Sequence, residues 1–309
     1  MTNISLKTQN GRKILLNRGY KSTPDYTVPS VFRVGINQTT PLITDTALDY
    51  IIPITNGTIN DDGSNTMTGS DGADNSTDNT DTFKPGGGVT DVTAQNLIAN
   101  DTSVTKVWTI ADLDTSGSDA VGTKPYGLWL YIKDATALAK FVSAGTALSI
   151  KFRTNGDGAT LYYEDAYEDG DLAVGWNWIT SNTTNVEDLT EGAGGAPSGD
   201  LDEFVITITT NNATDEFAAG DVVYDMLRQW DTTDSWQLYV SGYPTLNETN
   251  MEATTRCYLE GTKANGFLID SCSFENTDGT PLVSDMDKFD EDSKSDTDEF
   301  AFVAVDRII

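Results

Sequence analysis

Short runs of β-branched and aromatic residues, each ended by turn-forming residues, are the feature that most constrains how this chain folds. In "EFVITITT", Ile206 and Ile208 alternate with Thr207 and Thr209, which is the pattern of a strand with one buried face. Similar runs recur between residues 95 and 235, and the helical pattern among them, "DATALAKFV", is short. We therefore predict an all-β fold, with an antiparallel sandwich at residues 95–236.

The two ends of the chain also contain strand-forming runs. Near the start these are "KILLN", "SVFRVGI" and "LDYIIPIT"; near the end they are "MEATTRCYLE", "FLIDSCSFEN" and "EFAFVAVDRII", with an acidic loop before the last. Neither end has enough strands for a stable sandwich of its own. We expect residues 1–60 and 237–309 to form one small β-sandwich-like module, with the domain at 95–236 inserted between its halves.

The segment between the first half and the inserted domain is strongly polar. Residues 61–91 consist almost entirely of Asp, Asn, Ser, Thr and Gly, and "KPGGG" marks the end of the segment. Such a composition buries too little apolar surface to offset the entropy lost on ordering. We predict an acidic flexible linker over residues 61–94.

Charge is distributed unevenly along the chain. The net charge is −29, yet residues 1–33 carry +5 and the remainder therefore carries −34. Residues 285–300 contain eight acids and two lysines. We expect the basic head to attract this acidic stretch, within one subunit or between neighbouring copies. We assign this assembly surface to Arg12, Lys13, Arg18, Asp290 and Asp292.

Composition argues against several classes of function. Lys and Arg are scarce outside the head, so we expect no nucleic-acid partner. No run of 18 apolar residues occurs and the start lacks a signal-peptide pattern, so we expect a soluble protein without membrane insertion. The chain has no His and two Cys, which excludes a four-ligand Cys/His zinc site and removes the commonest general base. We expect no enzyme activity.

Cys257 and Cys272 lie on either side of a predicted hairpin. They are either two buried free thiols on adjacent strands or a cross-strand disulfide. One pair of cysteines does not define the redox compartment, so both alternatives stay open.

Aromatic residues give the chain a candidate sugar-binding surface. Tyr162, Tyr163 and Tyr167 lie among acids in "LYYEDAYEDGD", and rings beside hydrogen-bonding groups suit a sugar. In "GWNW" we expect Trp176 and Trp178 to face opposite sides of a strand, with Trp178 available to a ligand. Packing in the core is the alternative for each. A polysaccharide-degrading enzyme is disfavoured, because most acids lie in runs typical of exposed loops.

Both chain ends resemble a structural module of tailed bacteriophages. The opening "SVFRVGINQTTPLITDTALDYIIPI" resembles the first half of that module, and "SGYPTLNETNMEATTRCYLE" with "GFLIDSCSFENTDGTPLVSD" and "DEFAFVAVDRII" is similar to its closing half. The resemblance implies a virion-anchoring module split by an insertion.

The middle of the chain resembles jelly-roll domains of the carbohydrate-binding-module and lectin-like kind. The matching segments are "WTIADLDTSGSDA", "YGLWLYIKDATALAKF", "GTALSIKFRTNG", "LAVGWNWIT" and "LDEFVITITTNNATDEFAAGDVVYDMLR". The resemblance implies a fold more than an activity. It also implies a structural calcium ion held by Asp112, Asp114 and Asp225, the one cofactor that we consider.

Together these observations predict a non-enzymatic phage virion structural protein. Its split module would attach to capsid or tail, and its jelly roll would lie on the virion surface as a capsid decoration or for host attachment. The expected partners are other virion proteins, further copies of the chain and a host surface glycan. The alternative is a free lectin-like carbohydrate-binding protein.

Overall fold

The computed structural model describes the chain as two compact units. Unit 1 consists of Met1–Gly57 with Asp231–Ile309, and unit 2 of Thr58–Trp230. The described residues are 4–55, 58–61, 67–69, 76–84, 93–98, 105–111, 124–181, 185–212, 215–277, 282–293 and 299–307. Within them, only the backbone is described for residues 4–5, 58–61, 105–111, 232, 291–293 and 306–307.

Strands dominate the described part of the chain. The first elements are β1 (Ile4–Lys7), α1 (Gln9–Tyr20), β2 (Val31–Gly35), β3 (Thr58–Asp61), β4 (Thr68–Gly69), β5 (Thr77–Asn79), β6 (Ala94–Asn96), β7 (Thr105–Ala111), β8 (Tyr126–Ile132), α2 (Ala135–Leu138), β9 (Leu148–Arg153) and β10 (Tyr163–Tyr167). They are followed by β11 (Gly175–Thr180), β12 (Thr190–Glu191), β13 (Glu203–Thr209), β14 (Val222–Gln229), β15 (Gln237–Leu238), β16 (Thr245–Asn247), β17 (Glu252–Leu259), β18 (Leu268–Glu275), β19 (Val283–Ser293) and β20 (Phe300–Arg307). Short 3₁₀ helices span Asp169–Asp171, Val186–Asp188 and Thr232–Ser235. None of the described helices has the length and hydrophobicity needed to cross a membrane.

Unit 2 is an antiparallel jelly roll. One sheet has the order β12-β10-β9-β13-β7-β4; the other has the order β11-β8-β14-β6-β5, and β3 also pairs with β14. A jelly roll has eight principal strands, which here are β6 to β11, β13 and β14. If these are renumbered 1 to 8 in chain order, the four principal strands of the first sheet have the order 2-7-4-5 and those of the second have the order 1-8-3-6. These are the two interleaved sheets of a jelly roll. The predicted inserted sandwich is confirmed.

Two-residue periodicity places the core of unit 2 between these sheets. Leu128 and Leu130 on β8 belong to one buried cluster with Ile150 and Phe152 on β9 and Ile206 on β13. Intervening residues on each strand point away from this core, because successive side chains of a strand alternate between faces. The outer face of β8 is therefore set by Gly127, Trp129 and Tyr131.

The segment predicted as a flexible linker contains β4 and β5, which belong to the sheets of unit 2. Met67 beside β4 is fully buried, and the Ser76 hydroxyl accepts a hydrogen bond from the Met67 N–H at 2.6 Å. Ser76 also donates to Gln95 Oε1 at 2.8 Å. Hydrogen bonds between polar side chains and backbone thus order residues whose apolar surface is small. Composition alone did not indicate them.

Unit 1 is built from both ends of the chain. Its larger sheet has the order β1-β19-β18-β2-β15, and its smaller sheet has the order β16-β17-β20. N-terminal β1 pairs with β19, with Lys7 opposite Asp285, and β2 pairs with β18, with Val34 opposite Cys272. The predicted β module formed by the two chain ends is confirmed as a fold.

Three local predictions for unit 1 are wrong. "KILLN" lies in helix α1, since the Thr8 hydroxyl caps the helix by accepting the Gly11 N–H at 3.0 Å. "LDYIIPIT" contributes an isolated bridge between Ile51 and Gly35 rather than a strand. Much of the acidic stretch is strand β19 rather than a loop, because Met286 is buried there and β1 and β18 flank it.

Cys257 and Cys272 are buried free thiols. Burial raises the pKa of both groups, and the nearby Asp287 carboxylate raises them further. The free-thiol alternative is therefore confirmed. The two residues lie on β17 and β18, which follow each other in the chain but belong to different sheets, so the predicted hairpin is wrong.

A buried ion pair joins the two ends of the chain in unit 1. Arg33 on β2 donates from Nε to Glu275 Oε2 on β18 at 2.8 Å, and both side chains are almost fully buried. Arg33 also donates to the Ser235 hydroxyl, and Ser273 donates to Glu275 Oε1 at 2.8 Å. The pair is therefore embedded in further hydrogen bonds, as a buried charge requires.

We expect Glu275→Gln to destabilise unit 1, because the Arg33 guanidinium would then lie buried opposite a neutral amide. Losing one partner of a buried pair costs about 3–5 kcal/mol. Hydrogen exchange of the β2 and β18 amides, followed by mass spectrometry, should be faster in the variant. Asp25→Asn, which breaks the exposed Lys21–Asp25 pair, is the control and should leave exchange unchanged. Unchanged exchange in Glu275→Gln contradicts the prediction.

Candidate functional site

The outer face of the sheet that contains β8 carries paired aromatic side chains. Trp129 and Tyr131 alternate with the core residues of β8 and therefore point away from the core. In the register of β8 with β11, Trp178 lies opposite Trp129 and Trp176 lies opposite Tyr131. Cross-strand aromatic pairs of this kind stabilise a sheet and form a continuous surface.

These rings form one row across the sheet. Ring centroids are 5.2 Å apart for Tyr131 and Trp176, 6.3 Å for Trp176 and Trp129, 4.9 Å for Trp129 and Trp178, and 6.1 Å for Trp178 and Trp230. Trp129, Trp178 and Trp230 are buried, whereas Tyr131 and Trp176 are partly exposed. The row is therefore a packed structure at one end and accessible to a ligand at the other.

Glycine at position 127 permits the close packing of Trp178. A Cβ atom placed on Gly127 would lie 2.2 Å from Cζ2 and 2.5 Å from Cη2 of the Trp178 ring. The ring thus lies directly over the backbone of β8, which fixes its orientation within the row.

Two cations pack against the buried part of the aromatic row. Lys84 Nζ lies 4.1 Å from the Trp129 ring centroid, and the Arg228 guanidinium lies 5.8 Å from that of Trp178. The buried Asp225 carboxylate accepts the Lys84 N–H at 2.6 Å. Burial lowers the pKa of Lys84 to about 8 and that of Arg228 to about 10, although the charge of Asp225 opposes both shifts.

A cleft of about 420 Å³ opens beside the exposed end of the aromatic row. Tyr131 is the aromatic residue in its wall, and Lys133, which directly follows the end of β8, also lines it. The remaining wall is polar or small and consists of Asp78, Asn79, Thr80, Asp81, Thr82, Asn96, Ala219 and Gly220. The cleft thus combines an aromatic face with many hydrogen-bonding groups.

Asn96 on β6 holds the walls of the cleft together. Its Oδ1 accepts hydrogen bonds from Asn79 Nδ2 and from the Gly220 N–H, each at 2.8 Å. Its Nδ2 donates to the backbone carbonyls of Thr77 and Asp78, each at 3.1 Å. One buried amide thereby fixes β5 and the turn before β14 relative to each other.

Asn79 shapes the loop that borders the cleft. Its Oδ1 accepts the N–H groups of Asp81 and Thr82 at 3.0 and 2.9 Å, which is an Asx-type turn. Asp78 Oδ1 accepts from Gln95 Nε2 at 2.9 Å. The carboxylates of Asp78 and Asp81 are exposed, so both can accept hydrogen bonds from a ligand.

Asp221 positions the lysine at the other side of the cleft. Lys133 Nζ lies 3.4 Å from Asp221 Oδ1, and Lys140 Nζ lies 2.8 Å from Asp221 Oδ2. Burial by itself would raise the pKa of Asp221, but hydrogen bonds from Lys140 and the Ala218 N–H outweigh burial and lower it. The carboxylate is therefore ionised at neutral pH and retains Lys140 if Lys133 turns toward a ligand.

The structure does not bring the predicted sugar-binding residues together. Trp178 is buried in the aromatic row, and it shares a face with Trp176, because residues two apart on a strand point the same way. The expectation of opposite faces is wrong. Tyr162 lies near the sheet that contains β10, with Lys151 Nζ 4.1 Å from its ring centroid. Tyr163 and Tyr167 pack against the core.

Tyr167 takes part in a buried polar network instead. Asp165 Oδ2 accepts from Tyr167 at 2.7 Å and from Tyr126 at 2.9 Å, and Tyr167 also contacts the Thr180 carbonyl at 3.1 Å. Burial raises the pKa of Asp165 and Tyr126. Because Tyr126 is on one sheet and Asp165 on the other, this network joins the two sheets of the jelly roll.

Asp225, one of the predicted calcium ligands, is engaged with cations of the protein itself. Its partners are the Lys84 backbone and the charges of Lys84 and Arg228, which disfavour a divalent cation nearby. Asp112 and Asp114 lie outside the described residues. Within the ranges that the structure describes, no group of three or more His, Cys, Asp or Glu residues could hold a metal ion.

The predicted assembly residues belong to unit 1. Arg12, Lys13 and Arg18 are exposed on α1, and Asp290 is exposed on β19. Asp292 is also on β19, but its side chain lies outside the described part. Arg18 donates to the Tyr26 carbonyl at 2.9 Å, and Lys13 Nζ lies 5.2 Å from the Tyr26 ring centroid.

The chain ends are joined by other basic head residues. Lys7 pairs with Asp285 at 2.8 Å, and Arg33 pairs with Glu275. The head therefore attracts the C-terminal segments within one subunit through its strands, while α1 retains an exposed basic surface.

Comparison with known proteins finds only distant structural similarity. No protein-family model matches the sequence, and no curated protein matches it. The chain is similar to the crystal structure of a family 6 carbohydrate-binding module from Clostridium cellulolyticum in complex with xylose, at 8% identity and a TM-score of 0.26. The match covers 57% of this chain and 99% of that one. These values are too low to assign a ligand to this chain.

We expect the stability of unit 2 to depend on the titration of Lys84. Its pKa of about 8 lies below the ordinary value of 10.5, so the unfolded chain binds more protons between these pH values. Stability should therefore rise with pH across this window, by about 3 kcal/mol. Lys84→Met should lack this rise, which urea denaturation of both proteins from pH 7.5 to 10.5 can measure. A pH-independent difference between them contradicts the prediction.

Proposed function

We propose that unit 2 binds a neutral glycan in the cleft beside Tyr131 and Trp176, without chemical turnover. The observation that supports this most is an open cleft in which the partly exposed Tyr131 ring, which packs against Trp176, lies beside carboxylate, amide and hydroxyl groups. Sugar rings present apolar C–H faces that stack on aromatic rings, and their hydroxyl groups pair with such polar side chains.

The charge of the cleft favours a neutral ligand over an anionic one. Asp78 and Asp81 line it, and its one lining lysine, Lys133, is already near Asp221. The chain as a whole carries −29. An anionic polysaccharide would therefore be repelled, whereas carboxylates readily accept hydrogen bonds from neutral hydroxyl groups.

Binding without turnover is proposed because the site lacks the environment that glycoside hydrolysis requires. A carboxylic acid that protonates a glycosidic oxygen works from an apolar, water-poor pocket. The carboxylates of Asp78 and Asp81 are exposed to solvent and belong to a polar loop.

Attachment to a phage particle is the second function that we propose, and it concerns unit 1. It is supported by the sequence resemblance of the two chain ends to a virion module, together with their pairing in one sheet. In this role the protein would lie on the surface of capsid or tail, bound to other virion proteins, and would present unit 2 as a decoration or to a host surface glycan.

We expect Tyr131→Ala and Trp176→Ala to weaken binding of a neutral oligosaccharide about 10- to 100-fold, because the first removes the stacking ring and the second removes the ring that packs against it. A glycan array identifies the ligand, and calorimetry measures its affinity for each variant. Tyr162→Ala is the matched control, since Tyr162 is an aromatic residue outside the cleft, and it should bind normally. Absence of any glycan ligand for the wild-type protein, or equal loss in Tyr162→Ala, contradicts the proposal.

We expect the protein to sediment with phage particles when a lysate of phage-producing cells is separated on a density gradient. Antibodies against unit 2 should then label the particle surface in electron micrographs, on capsid or on tail. Recovery of the protein in soluble fractions alone would exclude the virion role while leaving glycan binding open.

A further inference from the structure

Helix α1 presents a basic and apolar surface to solvent. Within Gln9–Tyr20 the helix carries Arg12, Lys13 and Arg18 and no acid. Leu16 and Tyr20 are 64% and 88% exposed. Large exposed apolar side chains beside a cluster of like charges are typical of interaction surfaces. This surface belongs to unit 1, and it lies outside the proposed glycan cleft.

The opposite side of α1 is fixed to strand β19. Ile14 is buried, and a Cβ atom on Gly11 would lie 2.1 Å from the Ser284 carbonyl oxygen, so the helix approaches the strand as closely as glycine allows. The Thr8 hydroxyl caps the helix and also donates to the Val283 carbonyl at 2.5 Å. The exposed surface is therefore held in place before any partner binds, which reduces the entropy lost on docking.

Charge identifies the partner that fits this surface. Residues 1–33 carry +5, while the rest of the chain carries −34. On the same unit, Asp290 is exposed on β19 and is followed in the sequence by Glu291 and Asp292. A second copy of the chain thus offers an acidic surface complementary to α1. An anionic membrane would also attract α1, and binding of the protein to anionic vesicles distinguishes that occupant from a second copy.

We propose that two copies of the chain associate through unit 1, with α1 of each copy docked on the Asp290 end of β19 in the other. Both surfaces belong to the same unit, so a two-fold axis makes the contact twice, as isologous interfaces do. Leu16 and Tyr20 supply the apolar contact, and Arg12 and Lys13 supply the charges that set the register. This interaction goes beyond the proposed glycan binding.

An orthogonal charge pair tests the proposal in the full-length chain. Sedimentation velocity at low salt should show a wild-type dimer that weakens as salt is added. R12E/K13E and D290K should each be monomeric, with dimer affinity reduced at least about tenfold by like-charge repulsion. An equimolar mixture of the two variants should form a heterodimer, because both contacts of that pair again join opposite charges. Its recovery also establishes that both variants are folded.

Leu16→Ser should weaken the dimer, whereas Leu246→Ser, a change at a leucine 72% exposed elsewhere in unit 1, should not. A wild-type protein that stays monomeric at low salt overturns the proposal. It is also overturned if D290K dimerises normally, if the mixture fails to associate, or if α1 binds phosphatidylserine vesicles while the protein remains monomeric.

Discussion

Pairing between the two ends of the chain is the constraint on which the rest of the structure depends. Strand β2 is hydrogen-bonded to β18, more than 230 residues later in the chain, and Arg33 and Glu275 place a buried ion pair between them. The intervening chain must therefore leave unit 1 and return to it. The N–H groups of Ile54 and Thr55 both bond the Asp234 carbonyl, at 2.8 and 3.1 Å. The segment that leaves unit 1 and the segment that returns to it are thus joined at one carbonyl group. A complete jelly roll can therefore be inserted between them.

In unit 2, the aromatic row on the outer face of the sheet that contains β8 is buried at one end and exposed at the other, and the two ends have different roles. At one end Trp178 lies over Gly127, and Lys84 covers Trp129, so the rings stabilise the sheet and are not accessible to a large ligand. At the other end Tyr131 borders an open cleft whose walls are held by Asn96. A rigid row of rings that ends at a polar cleft is a suitable support for recognition, because little order must be gained on binding.

Strands whose order depends on local composition could be predicted from the sequence. Features that depend on residues distant in the chain could not. "EFVITITT" and "GWNW" are strands, as their composition indicates. The faces of Trp176 and Trp178 were nevertheless predicted wrongly, since residues two apart on a strand share a face. The acidic strand β19 was missed because its order comes from β1 and β18. The cleft was missed for a similar reason, since Asn96 meets Gly220 across more than 120 residues of sequence. Hydrogen bonds between residues so far apart in the chain leave no periodic pattern in the sequence.

The open form of the cleft connects the two proposals. An open polar cleft with one aromatic residue in its wall buries little of a sugar, so a single copy is expected to bind weakly. Joining copies through unit 1 would make the second binding event on a glycan surface intramolecular, and avidity can then exceed the affinity of one site by a factor of about 10² to 10⁴. Assembly through α1 would therefore determine whether the cleft in unit 2 holds a polymeric ligand, although the two surfaces belong to different units of the chain.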